Sequence, residues 1–451
     1  MAIPSRHFTA PRFALWLCCA LLAAGTAHAG EARGDTSAKD AIPGWLTLNA
    51  AKRIAFQRNW DLLAGQANVD QAVAQKIVAR EFPNPTFSYS TTHVNMDRHP
   101  SGTSSGNGLW DRNYDTTFAI NQLFEIGGKR AIRKASAAAG LKAAEESFRD
   151  ARRTLDLGVS KAYIAVLLAD ELSKVLNRSA RTMRNEREIA QVRFKAGDVS
   201  ESDRMQIEIA ASRLGLDAQA AKGNARTARI ALEVLLGVKK PSGKWDPKDV
   251  IEELAILAPG EGQPDMRPDL LAAQANLQKA EADLRLQKAM RIPDPTFLMQ
   301  YEHVPADQPH TIGFGVSLPL PLWNRNTGNI RAAESARKLA EVQVGKIQTQ
   351  VASEIASAIV AYAEATHRWR AYQSDLETKS GRVLEMVQFA YKKGGASLLD
   401  LFAAQRTDND VRAAAAQAMA DRAVAAVTLA AARNAQTEQP KTKHGTPIIQ
   451  K

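Results

Sequence analysis

The chain has 451 residues, a formal net charge of +11, 6% aromatic residues and two cysteines. Its Lys and Arg residues are spread along helical patterns among Glu and Asp, without the interleaved aromatics that stack on bases, so the charge indicates solvated helix faces rather than nucleic-acid binding. Both cysteines, Cys18 and Cys19, lie in a predicted signal peptide, which excludes disulfides and thiolate sites in the mature chain.

The amino terminus reads as a secretory signal peptide over residues 1–29. It combines two arginines, an apolar run and the small-x-small ending Ala27-His28-Ala29. Large residues precede Cys18, which argues against a lipoprotein cleavage site. Residues 30–46 are predicted to form a flexible leader, and no later stretch reaches the roughly 18 consecutive apolar residues of a membrane-spanning helix.

A first repeat is predicted over residues 47–237. It opens with a helix that ends at the segment Phe82-Pro83-Asn84-Pro85-Thr86-Phe87, where Pro83 and Pro85 push the preceding residues out of the helical region and a strand begins. We call such a segment a helix-to-strand switch. The elements that follow are strands at 86–96 and 114–124 and a long helical hairpin at 129–236, with its turn at Gly197-Asp198.

The same order returns in a second repeat, residues 269–433, after a connector at 238–268. Its switch, Ile292-Pro293-Asp294-Pro295-Thr296-Phe297, contains Pro293 and Pro295 and lies about 210 positions after the first. The elements predicted beyond it are strands at 296–304 and 311–320, a hairpin at 329–433 whose first helix runs unbroken from Asn329 to Tyr391, and a disordered tail at 434–451.

Four strands of about ten residues create a physical problem, because they cannot close a barrel and they leave unpaired edges. Each strand is long enough to cross a bilayer at a tilt, where only closed barrels are tolerated. Several copies must therefore combine, and three chains would supply 12 strands. The fold class predicted is mainly α with a small β part: two long helical hairpins plus four transmembrane strands per chain.

The chain resembles the TolC family of outer-membrane efflux proteins over essentially its whole mature length. The resemblance rests on the two switches, on Phe124-Glu125-Ile126-Gly127-Gly128-Lys129-Arg130 and on Ser317-Leu318-Pro319-Leu320 with Asn324-Arg325-Asn326. The Glu-Ile-Gly-Gly-Lys-Arg segment is most similar to the branch for heavy-metal cation efflux of the cobalt-zinc-cadmium type. The resemblance implies a homotrimeric 12-stranded barrel in the outer membrane, in contact with its lipid, and an α-helical tunnel into the periplasm. It also implies docking to a periplasmic adaptor (membrane fusion protein) and an inner-membrane RND-type pump.

The turns between the two helices of each hairpin, which we call the tip turns, hold the most specific candidate sites. The resemblance implies that acidic residues there form a gate ring, which selects Asp400 and its counterpart Asp203, whereas Ala403 stands where some members are acidic. The alternative is that Ser200-x-x-Asp203 and Ser397-x-x-Asp400 are capping boxes of the return helices. The glycines predicted to supply left-handed backbone at these turns, which by resemblance also contact the adaptor, are Gly197, Gly394 and Gly395.

His93 and His303 occupy equivalent places after the two switches, with His99 and His310 in the loops that follow. They are either transient metal contacts at a pore mouth or polar residues at a barrel rim. The basic residues from Lys129 to Lys134 either face outer-membrane phosphates or cap the periplasmic end of the barrel.

No catalytic motif, cofactor-binding motif or resident metal motif is found in the sequence, and no cofactor is expected. A passive exit duct is therefore the leading interpretation. A periplasmic adaptor or coiled-coil scaffold is the alternative, although an adaptor normally has one hairpin and this chain has two.

Overall fold

The computed structural model describes residues 42–93, 115–304, 310–435 and 437–438. The predicted signal peptide, the leader up to residue 41, His99 and the tail beyond residue 438 lie outside these ranges. Within them the chain is mostly helical with few strands, which confirms that part of the predicted fold class.

The first half is dominated by one very long helix, α3. In chain order the elements are β1 (Trp45–Leu46), α1 (Leu48–Arg58), α2 (Trp60–Val78), β2 (Thr86–Thr92), β3 (Asp115–Leu123), α3 (Lys129–Lys195) and α4 (Glu201–Leu235). The 67 residues of α3 contain no proline, and the fully buried Val159, Tyr163 and Val166 follow one face at helical spacing. This seam packs α3 against its neighbours.

The second half repeats the order after a structured connector. Its elements are β4 (Asp246–Pro247), α5 (Ile251–Ala255), β5 (Ala258–Pro259), a 3₁₀ turn (Pro264–Met266), α6 (Pro268–Ala289), β6 (Thr296–His303), β7 (Thr311–Ser317), α7 (Thr327–Ala371), α8 (Glu377–Lys392), α9 (Leu398–Ala432) and β8 (Thr437–Glu438). The buried positions of α9 are mostly alanines, which allow close helix approach. None of the helices in the described ranges has both the length and the apolar character needed to cross a bilayer.

The prediction of one unbroken helix from Asn329 to Tyr391 is wrong. A five-residue π-helical segment, Tyr372–Leu376, separates α7 from α8. Beyond it, two side-chain contacts join α8 to α9: Ser380 of α8 donates to Asp408 of α9 (3.1 Å), and Arg412 of α9 donates to Glu377 of α8 (3.3 Å). A π-helical turn holds one extra residue, and the apolar pattern of the sequence gives no sign of it.

The leader and the connector are also more ordered than the sequence indicates. Trp45 and Leu46, predicted to be flexible, form β1, which pairs in parallel with Asp246 and Pro247 of β4. Leu46 is fully buried, and its carbonyl accepts a 2.8 Å hydrogen bond from the Tyr163 hydroxyl. Similarly, Ala258 and Pro259 of the connector pair with Glu438 and Thr437, which were predicted to be disordered.

The four longer strands form one antiparallel sheet in the order β2-β3-β6-β7. Pairing of β3 with β6 joins the two repeats, with Asn121 opposite Leu298. Among the described strands nothing pairs with the outer side of β2 or of β7, so both are edges. Strand β7 ends at Ser317, three residues earlier than predicted, and two prolines follow within four residues.

The sheet has two chemically different faces. One, the aromatic face, carries Phe87, Tyr89, Phe118, Ile120, Phe297, Met299, Tyr301, Ile312, Phe314 and Val316. The other, the small-residue face, carries Thr86, Ser88, Ser90, Thr117, Ala119, Asn121, Leu298, Gln300, Gly313, Gly315 and Ser317. The aromatic face is exposed in the single chain, with Phe314 at 80% and Phe87 at 67%. An exposed apolar face of this size marks a surface that another apolar phase covers.

Candidate functional site

The two tip turns lie at the same end of the molecule. Met183 of α3, Ile207 of α4 and Leu401 of α9 belong to one buried cluster, against which Tyr391 of α8 also packs. The ends of both hairpins are therefore held together by a shared apolar core, which positions both turns at one tip.

Each turn ends its helix with a glycine in the left-handed conformation. Gly197 has φ +83° and Gly394 has φ +76°. After α8, Gly394 N–H donates to Tyr391 O (3.1 Å) and Gly395 N–H to Ala390 O (2.8 Å), the pattern of a Schellman motif. Gly395 itself does not have a positive φ, so its predicted left-handed role is wrong; it supplies the second N–H of the motif.

Asp400 is an exposed carboxylate within a complete capping box. Its N–H donates to Ser397 Oγ (3.2 Å), and its Oδ2 accepts from the Ser397 N–H (2.9 Å) and hydroxyl (2.6 Å). The hydrogen bonds from the Ser397 hydroxyl and N–H lower the pKa of Asp400 below its ordinary value. The capping interpretation holds here, and the charge still faces solvent.

Asp203 makes only one of the two hydrogen bonds of a capping box. Its N–H donates to Ser200 Oγ (3.0 Å), but Asp203 returns no hydrogen bond to the Ser200 N–H in this part of the chain. The carboxylate of Asp203 is therefore not committed to capping, unlike that of Asp400, and the full capping box predicted for it is wrong.

At the opposite ends of the helices, the second switch is locked to the segment after β3. Phe124 N–H donates to Pro295 O (2.9 Å), Ile126 N–H donates to Asp294 Oδ1 (2.9 Å), and Lys129 Nζ pairs with Asp294 (2.7 Å). We call this contact between Phe124–Lys129 and Ile292–Pro295 the inner joint. Gly127 has φ +71°, a conformation that residues with a side chain rarely adopt, and an added Cβ would also lie 3.1 Å from Ile292 Cδ1.

The first switch makes fewer contacts of this kind. Gln122 Nε2 donates to Pro83 O (3.0 Å), and the Arg130 guanidinium lies 3.7 Å from the centroid of the Phe82 ring. Pro85 precedes β2 directly, as Pro295 precedes β6. Lys129 is buried in the inner joint, where it pairs with Asp294, whereas Lys134 is exposed.

The histidines lie at the other end of the strands. His93, with φ +57°, contacts Asp115 through Nδ1 (2.5 Å). His303 is 7% exposed, and its ring lies 5.3 Å from that of His310, whose Nδ1 is 2.6 Å from Tyr301 Oη. His303 follows Tyr301 by two residues, so it lies on the aromatic face. Among the described residues no three or more His, Cys, Asp or Glu side chains are grouped as metal ligands.

One buried ionic group was not predicted. The side chain of Arg267 is 1% exposed and bonds Asp269 (2.6 Å), Glu354 (2.8 Å) and the carbonyl of Ala432 (3.3 Å). In the first repeat, Asn59 occupies the equivalent position: it caps α2 and donates to Leu235 O (3.0 Å). The signal available in the sequence was the alignment of the two repeats, which sets both residues two positions before an Asp-Leu pair.

Comparisons with known proteins agree with this architecture. The family model for outer membrane efflux proteins matches residues 53–238 and 265–435. The cobalt-zinc-cadmium resistance protein CzcC of Cupriavidus metallidurans is 26% identical over 292 residues, which are 64% of this chain and 66%, just under two thirds, of the relative. The pyoverdine export outer membrane protein OpmQ of Pseudomonas aeruginosa is 25% identical over 88% of each chain.

The fold likewise matches solved structures. The outer membrane protein VceC of Vibrio cholerae superposes with a TM-score of 0.69 over 86% of this chain and 96% of that one, at 18% identity. At that identity the likeness concerns the fold alone. Because the family model spans more than half of the residues, the chain belongs to the outer membrane efflux protein family, and its location is the outer membrane.

Proposed function

We propose that three copies of the chain close a 12-stranded barrel in the outer membrane and that their helices continue it as a tunnel into the periplasm. The observation that carries this proposal is the sheet: four strands, one aromatic and one small-residue face, and an edge on each side. A barrel wall needs apolar residues toward lipid and polar residues toward the lumen, and closure removes both edges.

In this arrangement the protein is a passive exit duct of a tripartite efflux system. An RND-type pump in the inner membrane supplies the energy and a periplasmic adaptor connects the two. The tip turns at Gly197 and Gly394 are the parts of each hairpin farthest from the sheet, and they are the surfaces proposed to meet the adaptor. Family membership supports a duct over the periplasmic adaptor or scaffold that the sequence left open.

The gate is proposed to lie at the same tip. Three copies of Asp400, with a carboxylate that is exposed and held ionised by its capping hydrogen bonds, form a ring of negative charge. Asp203 adds a second carboxylate per chain. Such a ring attracts cations and repels anions.

The cargo is proposed to be divalent heavy-metal cations. The support is similarity to CzcC, whose name records cobalt-zinc-cadmium resistance, although OpmQ, named for pyoverdine export, aligns over more of the chain. Deletion of the gene is expected to sensitise cells to zinc, cobalt, cadmium or nickel. Unchanged metal tolerance together with sensitivity to organic compounds would reject the metal cargo and keep the duct.

The duct itself is tested by purification from outer-membrane fractions. We expect a complex of three chains that migrates as a trimer in SDS without heating, and ion conductance when it is inserted in planar bilayers. A soluble monomer that does not insert would reject the channel.

A further inference from the structure

We propose that a second, intermolecular joint forms between copies of this chain, in which residues 318–323 of one copy dock on the helix-to-strand switch at residues 82–85 of the next. This outer joint rests on the proposed trimer and specifies its strand register. The template is the inner joint, where the segment after β3 docks on the switch before β6 within one chain.

The internal repeat fixes the register. Thr86 lies opposite Asn121 and Thr296 lies opposite Ser317, so Asn121 and Ser317 are equivalent residues of β3 and β7. In the β3–β6 pair, Asn121 lies opposite Leu298, and Leu298 is the equivalent of Ser88 in β2. Repeating that pairing between copies therefore sets Ser317 opposite Ser88 of the partner subunit.

The two faces of the sheet support this register independently. It sets Val316 beside Tyr89 of the partner subunit and Leu318 beside Phe87 of the partner subunit, all exposed apolar side chains in the single chain. A slip by one residue would instead bring Val316 beside a serine and turn every apolar residue of one strand to the wrong face. The alternation of apolar and small residues along both strands therefore excludes a slip of one residue.

The positions of the prolines after β7 are compatible with pairing between the free edge of β7 and the next copy. Phe124 N–H donates to Pro295 O, so alternation along the strand directs the N–H groups of even-numbered residues of β3 toward β6. In β7 the equivalent donors are also even-numbered and include Leu318 and Leu320. Pro319 and Pro321 fall on odd positions, where an N–H group would point away from the free edge. The lack of these N–H groups therefore removes no hydrogen bond between copies.

The contents of the outer joint differ from those of the inner joint. Thr327 stands in place of Lys129 and Asn84 in place of Asp294, so the ion pair of the inner joint has no counterpart. Two extra residues between strand and helix instead present Trp323, which is 93% exposed.

The counterpart of Trp323 is the first residue of the switch. Phe82 is the equivalent of Ile292, which packs against Gly127 in the inner joint, and it is 68% exposed although Arg130 lies over its ring. Trp323 therefore packs against Phe82 of the partner subunit, and the outer joint is aromatic where the inner joint is ionic.

Paired cysteines test the register, because the predicted mature chain has none. The Asn121–Leu298 pair is not hydrogen-bonded, so its equivalent between copies brings Cα atoms to about 4.5 Å, within disulfide range. In outer-membrane trimers, Ser88→Cys with Ser317→Cys is expected to form covalent dimers and trimers on oxidation. The within-chain control, Asn121→Cys with Leu298→Cys, should cross-link without a change of mass.

An offset pair makes the test specific. In the proposed register, Ser317 and Ser90 of the partner subunit are diagonal neighbours whose Cα atoms lie about 7–8 Å apart. Ser90→Cys with Ser317→Cys should therefore cross-link several-fold less than Ser88→Cys with Ser317→Cys. A three-chain complex that cross-links better through the offset pair, or through neither pair, would overturn the outer joint and leave the channel intact. A monomer would overturn both.

The aromatic contact has its own readout, which needs no cysteine. Phe82→Ala and Trp323→Ala should each lower the temperature at which the trimer dissociates in SDS, and the double variant should lower it no further than the larger single effect. Additive effects, or no effect of Trp323→Ala, would overturn the contact.

Discussion

Replacement of Arg267 by methionine should be among the most destabilising single changes in the region where α6 begins and α9 ends. The guanidinium is almost fully buried and joins three elements: Asp269 at the start of α6, Glu354 in α7 and the last carbonyl of α9 at Ala432. Methionine fills much of the volume but makes none of these bonds, so two carboxylates lose their partner.

The size of the effect follows from burial. Breaking a fully buried ion pair by removing one partner costs about 3–5 kcal/mol. Here the carboxylates regain water, because the side chains of Asp269 and Glu354 are 20% and 41% exposed, and Arg153 is 4.0 Å from Asp269. We therefore expect a loss of about 2–3 kcal/mol in the free energy of unfolding. The control Arg406→Met, which breaks an 86%/73% exposed pair with Asp410, should cost less than about 0.5 kcal/mol.

The loss should also depend on pH with a defined sign. Burial tends to raise the pKa of Asp269, but hydrogen bonds and charge from Arg267 outweigh it and hold the pKa below its ordinary value. A depressed folded-state pKa adds stability that is present above the unfolded pKa, about 3.9, and disappears as pH falls through the folded value. The gap between wild type and Arg267→Met should therefore be widest near neutral pH and narrow below about pH 4.

The measurement is urea unfolding followed by far-UV circular dichroism, in detergent and at one protein concentration. A variant within about 0.5 kcal/mol of wild type at pH 7, the range of an exposed substitution, would refute the reasoning, as would a gap that does not change below pH 4.

Two further predictions use matched pairs in the same assay. Gly394→Ala should destabilise the tip by about 1 kcal/mol because its φ is positive, whereas Gly395→Ala should cost less than about 0.5 kcal/mol; equal losses would contradict the assigned turn. Lys129→Met should cost about 2 kcal/mol by leaving Asp294 unpaired in the inner joint, and the exposed Lys134→Met should be nearly neutral. A neutral Lys129→Met would show that the ion pair does not hold the joint.

Local chemistry in the sequence was enough to predict the repeat, the long helices and the switches. A proline before a strand and a glycine after a helix act within a few residues, so Pro85 and Gly197 could be assigned without any tertiary contact. Helix α3 was predicted almost to the residue because neither proline nor a polar break interrupts it.

What the sequence did not predict depends on residues far apart in the chain. β1 exists because Leu46 meets β4, and Leu48 N–H reaches Asp249 across 201 positions (2.7 Å). The residue opposite His303, which is Thr116, depends on the register of β3 and β6, and the sequence alone does not fix that register.

The two roles considered for Asp400 make separable predictions. Asp400→Asn removes the charge but keeps an oxygen that can accept the Ser397 N–H, whereas Ser397→Ala removes the hydroxyl cap and keeps the charge. Loss of the cap should cost about 1 kcal/mol of helix stability. If the carboxylate of Asp400 is only a helix cap, Asp400→Asn should leave the channel conductance unchanged.

If the three carboxylates form the gate ring, the electrical and structural effects separate. In planar bilayers Asp400→Asn should weaken block by divalent cations, while Ser397→Ala should preserve the block at neutral pH. Because the Ser397 bonds lower the pKa of Asp400, the carboxylate is protonated, and block is lost, at a higher pH in Ser397→Ala than in wild type. Equal block in wild type and Asp400→Asn, or identical pH midpoints in wild type and Ser397→Ala, would remove Asp400 from the gate and leave it as a helix cap alone.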